Sequence, residues 1–198
     1  MTYQHYATAS LYSRHGQRKY LTRDERARFI EAATSCKRAE LRTLCLTLAW
    51  TGCRISEALA LTARCIEIEP GFISVWTLKR RSRIPIVREI PAPPALITAL
   101  ANVHPLDGSL PDRRLWQLSR SRAWTLIKGV MCDAGITDGA HATPKGLRHG
   151  FGLHAIRCGV PINLVQRWLG HASMTTTAIY LNAIGDEERM VAARMWEL

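Results

Sequence analysis

The sequence predicts an α+β domain, mainly α with a small antiparallel β-sheet set between two helical stretches. Three observations carry this. Apolar residues recur at helical spacing through the first third of the chain. Residues 65–90 then hold three short β-branched stretches separated by turn residues, and helical spacing returns from Pro144 onward. With 198 residues, one domain with a substantial core accounts for the length.

Residues 1–20 are polar and aromatic without a clear period and read as an extended arm carrying Arg14, Arg18 and Lys19. Thr22 followed by Glu25 three residues on has the pattern of a capping box and opens the first helix. Leu41, Leu44, Cys45, Leu48 and Ala49 follow the i, i+3, i+4, i+7, i+8 rule, so a second helix buries that stripe. Gly52 ends it, placing Arg54 at the start of a short helix whose Ile55, Ala58 and Leu59 face inward. Residues 65–69, 72–78 and 84–90 read as strands, cut apart by Pro70-Gly71 and by the basic turn 80–83.

Pro91, Pro93 and Pro94 close the sheet, residues 94–103 read as a helix and 104–114 as a loop. The next helix, 121–134, is expected to place Trp124, Ile127 and Met131 on one side. Further helices are expected over 144–158, 162–169, 174–182 and 186–196. On the first of these, Leu147, Phe151, Ala155 and Cys158 form a face suited to the core. Lys145, Arg148 and Gly152 share another face, where the missing side chain of Gly152 leaves room for a backbone to approach Arg148. No internal repeat or low-complexity tract interrupts the chain.

Lys and Arg outnumber Asp and Glu by 27 to 16, a net charge of +11. That excess favours a polyanion as partner, because basic groups displace the counterions condensed on phosphates. Six cysteines, Cys36, Cys45, Cys53, Cys65, Cys132 and Cys158, are scattered without a C-x-x-C pair, which argues against zinc and a disulfide framework and for a reducing cytoplasm. No apolar run approaches the roughly 20 residues that span a bilayer. Residues 1–10 lack the basic-then-apolar pattern of a secretory signal.

Several polar residues stand in an order that makes a DNA phosphodiester a natural target. Arg54 begins a helix, where its charge opposes the dipole unless a phosphate binds there. Glu57 could orient its guanidinium. Lys79 lies at a hairpin tip followed by Arg80, Arg81 and Arg83, placed to bring an ammonium to a sugar-phosphate backbone. Lys145 and Arg148 share a helix face, His171 follows Leu169-Gly170, and Tyr180 lies nine residues beyond. Taken singly, each has an ordinary reading as a solvated charge, a structural hydrogen bonder or a core aromatic.

Taken in order, Thr51-Gly52-Cys53-Arg54-Ile55-Ser56-Glu57, Lys79, Leu147-Arg148-His149 and Leu169-Gly170-His171 through Tyr180 resemble the tyrosine recombinases, also called phage integrases, over residues 22–182. The resemblance implies a catalytic domain over 21–182, preceded by the arm 1–20 and followed by a helix within 183–198 that docks on a neighbouring protomer. It implies that Tyr180 attacks a scissile phosphate to form a 3′-phosphotyrosyl bond, with Arg54 and Arg148 on the nonbridging oxygens and Lys79 as general acid. Lys145 and His171 would help hold the phosphate. Neither metal nor cofactor is required, because one phosphodiester replaces another. Lys145 stands where the family usually has histidine, and an ammonium cannot accept the tyrosine proton; His149 and His171 remain as acceptors. Many relatives carry a separate core-binding domain, and in size the chain resembles the compact fimbrial phase-switch invertases. The expected partners are double-stranded DNA and other protomers in a tetrameric synapse, in a nucleoid-associated cytoplasmic setting. A type IB topoisomerase-like enzyme and a noncatalytic DNA-binding regulator are the competing classes.

Overall fold

Thr22 starts the helical part of the chain as its sequence predicts. In the computed structural model, which describes residues 10–77 and 86–181, its hydroxyl accepts from the Glu25 N–H while the Glu25 carboxylate accepts from the Thr22 N–H. This reciprocal cap satisfies two orphan donors and opens α1 (Arg23–Thr34). The expected stripe Leu41, Leu44, Cys45, Leu48 and Ala49 is buried along α2 (Ala39–Thr51), and so are Thr43, Thr47 and Thr51. α2 is therefore a central helix covered on several sides, packed against α1, α4 (Pro94–Val103) and α6 (Pro144–Arg157). Gly52 ends it with φ 60°, and α3 (Ile55–Ala58) follows at once.

The sheet is antiparallel with order β1 (Ile66–Glu67), β2 (Phe72–Trp76), β3 (Val87–Pro91). Its register pairs Ile73 with Ile90 and Val75 with Arg88 on the inner face, and Trp76 with Val87 on the outer. β1 is shorter than expected because residues 63–65 form a 3₁₀ turn that already buries Ala63 and Cys65. The hairpin tip, with Lys79 and the basic run after it, lies outside the described residues.

α5 (Arg120–Asp133) buries Ala123, Ile127, Val130 and Met131. Trp124 does not share that side: it is 44% exposed, because the row through Ala123, Ile127 and Val130 centres the buried face and leaves Trp124 at its rim. Cys158 is exposed too, being the cap residue after α6 rather than part of its apolar face. α7 (Ile162–Leu169) matches its expected span, whereas α8 (Met174–Ala178) stops before Tyr180. The helix expected over 186–196 lies outside the described residues.

The buried apolar residues form two clusters. The larger surrounds α2, and the smaller joins Leu11, Phe151, Leu153, Ala155, Val165, Leu169 and Tyr180. α6 supplies Leu147 to the first and Phe151 to the second, so Arg148 and His149 sit between them. Residues 11–19 are not extended as expected. They fold back, with Lys19 N–H on the Leu11 carbonyl and Ser13 N–H on that of Gln17, because Leu11 is drawn into the smaller cluster. The Leu21 N–H then donates to the Gly146 carbonyl, tying the arm to α6.

Candidate active site

Arg54 caps α3, and Glu57 one turn later holds it twice. One carboxylate oxygen accepts from the Arg54 backbone N–H at 2.8 Å, the other from its Nη1 at 2.7 Å. Glu57 is buried, so its charge needs compensation. The second cation is Arg88 on β3, whose Nη2 donates to Glu57 Oε2. Burial works against the Glu57 carboxylate, but the charges and N–H groups of Arg88 and Arg54 outweigh it and hold its pKa below the usual range. Arg88 also donates from Nε to the Trp168 carbonyl at 2.7 Å and from Nη1 to Thr77 Oγ1 at 3.0 Å. Its guanidinium lies against Gly170, where a β-carbon would come within 3.0 Å of Cζ. Sequence reasoning missed Arg88. The signal was the strand period, since an inward Ile90 places residue 88 inward as well.

Arg148 reaches from α6 to the ends of two other helices. Its Nη1 donates to the Gly52 carbonyl at 2.8 Å and its Nη2 to that of Leu169, tying the C-termini of α2 and α7 together. Five N–H donors on a guanidinium leave three for a ligand. Burial and the nearby charge of Arg54 bring its pKa down to about 10, which leaves it charged at neutral pH.

α7 ends at Gly170, in the left-handed region with φ 62°, and His171 N–H closes the turn on the Gln166 carbonyl. The His171 ring is fixed by Thr177, with Nδ1 2.9 Å from the hydroxyl of that buried threonine. Three residues on, the Tyr180 ring lies nearly parallel to the His171 imidazole, with centroids 6.2 Å apart. The space left open at Gly152 is filled by the fully buried Tyr180 ring, and not, as expected from the sequence, by a backbone approaching Arg148. The Tyr180 hydroxyl meets His149 Nδ1 at 3.1 Å. Burial pushes its pKa up to about 12 against the opposing influence of Arg148 and Arg54. Burial, with Arg148 next, pushes His171 down to about 3.

The fold thus brings Arg54, Arg148, His171 and Tyr180 within electrostatic reach of one another. Lys145 is exposed on α6, close enough to act on His149 and on Lys19 of the arm. Lys79 lies outside the described residues. A cleft of about 650 Å³ opens beside His171 between β3 and α7, bordered by Thr77, Arg88, Gln166 and Arg167. Among the described residues no cluster of three or more His, Cys, Asp or Glu is placed to hold a metal, and no helix is long and apolar enough to cross a membrane. Convergent guanidinium donors and a phenol beside neutral imidazoles suit a phosphodiester and its in-line displacement.

Known proteins share this fold. Tyrosine recombinase XerA of Pyrococcus furiosus is 35% identical over 170 residues, which cover 82% of this chain and 56% of that protein. A crystal structure of XerA recombinase matches with a TM-score of 0.68 at 30% identity, covering 81% of this chain and 59% of that one. The catalytic domain of bacteriophage HP1 integrase shares the fold, with a TM-score of 0.65 at 20% identity over 88% of this chain and 93% of that one. The chain spans about half the length of the curated relatives it matches. With the family profile matching residues 19–185, the chain belongs to the phage integrase family and has the fold of a tyrosine recombinase catalytic domain.

Proposed function

We propose that this protein is a site-specific DNA recombinase that cleaves and rejoins DNA through a 3′-phosphotyrosyl intermediate on Tyr180. The observation that carries this is the meeting of Tyr180 with Arg54, Arg148 and His171 at one place in a member of this family. Arg54 and Arg148 grip the nonbridging oxygens, with guanidinium forks oriented by Glu57 and by two helix-end carbonyls. Lys145 and His171 hold the phosphate from the α6 and α7 sides. Lys79 protonates the leaving 5′-oxygen. Double-stranded DNA is the substrate, and further protomers assemble on it as a tetrameric synapse, coupled through the helix read over 186–196. Six free cysteines fit a reducing cytoplasm, where the nucleoid lies.

The test begins with the Tyr180→Phe protein, which retains the basic surface but lacks the nucleophilic oxygen. Duplexes that it binds are selected from a random-sequence pool and rebuilt with a nick that traps the cleaved state. The unsubstituted protein should form a denaturation-resistant adduct on them, and Tyr180→Phe none. Arg54→Ala and Arg148→Ala should each slow adduct formation roughly 10²–10³-fold, the typical loss for one preorganised donor, with far smaller effects on binding. An adduct formed by Tyr180→Phe sinks the assignment of the nucleophile. Absence of any adduct favours a DNA-binding regulator, and relaxation of supercoiled plasmid lacking the selected site favours a type IB topoisomerase-like enzyme.

A further inference from the structure

The tyrosine hydroxyl of this site is held by one imidazole. Within the described residues Tyr180 Oη meets His149 Nδ1 at 3.1 Å, and His149 Nε2 is buried without a partner. Two proton arrangements are possible. If Nδ1–H donates to the tyrosine, the Nε2 lone pair and the phenolic hydrogen are both left without partners. If the phenol donates to Nδ1, only the Nε2–H is left. The second arrangement strands fewer buried polar groups, so the lone pair of Nδ1 faces the phenolic proton.

Among the described residues no other group at the site is so placed. Lys145 carries an ammonium with no lone pair to offer. His171 has its Nδ1 taken up by Thr177, and its ring lies alongside the tyrosine ring rather than at the hydroxyl. Among the described residues the groups facing His149 are Lys19 from the arm, Lys145 and Arg148 from its own helix, and Tyr180 and His171 from beyond α7. Burial first, and then those three cations, hold the imidazole neutral with its pKa down at about 3. A phosphodiester entering between Arg54 and Arg148 offsets that positive field, making His149 a stronger base only once DNA is in place.

We propose that His149 is the catalytic base that accepts the proton of Tyr180. The proposal rests on the reading of Tyr180 as nucleophile. In the cleavage step the Tyr180 O–H proton passes to His149 Nδ1, the tyrosine oxygen forms its bond to phosphorus, and the bond from phosphorus to the 5′-oxygen breaks. That oxygen takes its proton from the general acid assigned to Lys79. Rejoining runs in reverse: a 5′-hydroxyl attacks, its proton leaves to the lysine side, and the departing tyrosine recovers its proton from His149.

The discriminating variant is His149→Asn. Its amide oxygen reaches the place of Nδ1 and accepts the same hydrogen bond, but cannot take the proton. The readout is the single-turnover rate of adduct formation on the nicked duplex selected with Tyr180→Phe, measured across pH. His149→Asn should slow cleavage roughly 100-fold or more, the usual worth of a positioned base, and lose the rising limb of the pH profile. Placing 3,5-difluorotyrosine, a more acidic phenol, at position 180 should restore much of the rate in His149→Asn and not in Arg148→Ala. A 5′-bridging phosphorothiolate, whose sulfur leaves without a proton, should rescue Lys79→Ala and leave His149→Asn slow. His149→Gln, read in the same way, covers the case in which asparagine does not fold at this position. Cleavage by His149→Asn within threefold of the unsubstituted rate and with the same pH profile overturns the proposal, as does a loss that difluorotyrosine does not relieve. Failure of the unsubstituted protein to form any adduct overturns instead the reading beneath it.

Discussion

The Tyr180 ring occupies the space that a side chain at position 152 would fill: a β-carbon built on Gly152 falls 2.6 Å from Tyr180 Cζ. Glycine inside a helix costs about 1 kcal/mol relative to alanine, so residue 152 gives up helix stability to seat the tyrosine.

Gly152→Ala should therefore change sign with its partner. Beside Tyr180, overpacking costs about 1–3 kcal/mol, which matches or exceeds the helix gain, and the protein is destabilised. In a Tyr180→Ala background the same substitution should stabilise by about 1 kcal/mol. Urea denaturation of the four proteins gives the coupling. Additive effects within about 0.3–0.5 kcal/mol would mean that the ring does not rest on Gly152 in solution.

Arg88 offers a second test, because it joins three parts of the site. Arg88→Met leaves the Glu57 carboxylate in the core with Arg54 alone, and Arg54 is partly exposed. Breaking a buried pair from one side costs about 3–5 kcal/mol. Adding Glu57→Gln should recover part of that stability, since the stranded charge is gone. Cleavage should not recover, because Arg54 then has no carboxylate to orient it. Full recovery of both would reduce the Arg88–Glu57 pair to a structural one.

Much of this was legible from spacing. The Thr22 and Glu25 cap, the α2 stripe and the antiparallel order of the strands all follow local rules, and local rules are what a sequence displays. Arg54, Arg148, His171 and Tyr180 could be singled out because motif order survives without a fold. What was not legible depends on distance in space. The contact between Gly152 and Tyr180 joins residues 28 positions apart in the chain and is written in neither segment. Arg88 belongs to no motif that would single it out, although strand alternation points it inward. Trp124 shares helical spacing with Ile127 and Met131, yet the buried face is centred by Ala123, Ile127 and Val130, a shift that spacing alone does not display.

Stability should fall on acidification from about pH 6.5. His149 and His171 have their pKa values depressed in the folded state to about 3, from an ordinary 6.5. The sign follows directly: between those values the unfolded chain binds more protons, so stability is fully present above 6.5 and is lost as pH falls towards 3. Each such group contributes a slope of about 1.4 kcal/mol per pH unit in that window. His104, His141 and His154 are shifted in the same direction, so the increment of His149 is isolated by difference. Denaturation midpoints for His149→Asn should show a shallower pH dependence than the unsubstituted protein between pH 6.5 and 4. Identical slopes would mean that His149 is not buried and neutral in the folded state.

The burial of Tyr180 makes its oxygen unreachable until the chain around it opens. Tyr12 is 49% exposed and Tyr20 half-buried, whereas Tyr180 is sealed by Gly152, the His171 ring and the small apolar cluster. Nitration with tetranitromethane, read peptide by peptide by mass spectrometry, should modify Tyr12 well before Tyr180 in the free protein. A tyrosine that reacts only through local opening is slowed by the opening equilibrium, and about 1.4 kcal/mol of opening free energy already slows it tenfold. Comparable rates at Tyr12 and Tyr180 would show that the closed seat is not the dominant state in solution. The same experiment on the Gly152→Ala protein tests the cause: if contact with the β-carbon lifts the ring, nitration of Tyr180 accelerates while that of Tyr12 does not. Because a phosphodiester must reach the same oxygen, a protein that exposes Tyr180 more readily should also cleave its nicked duplex sooner, provided that His149 still meets the hydroxyl.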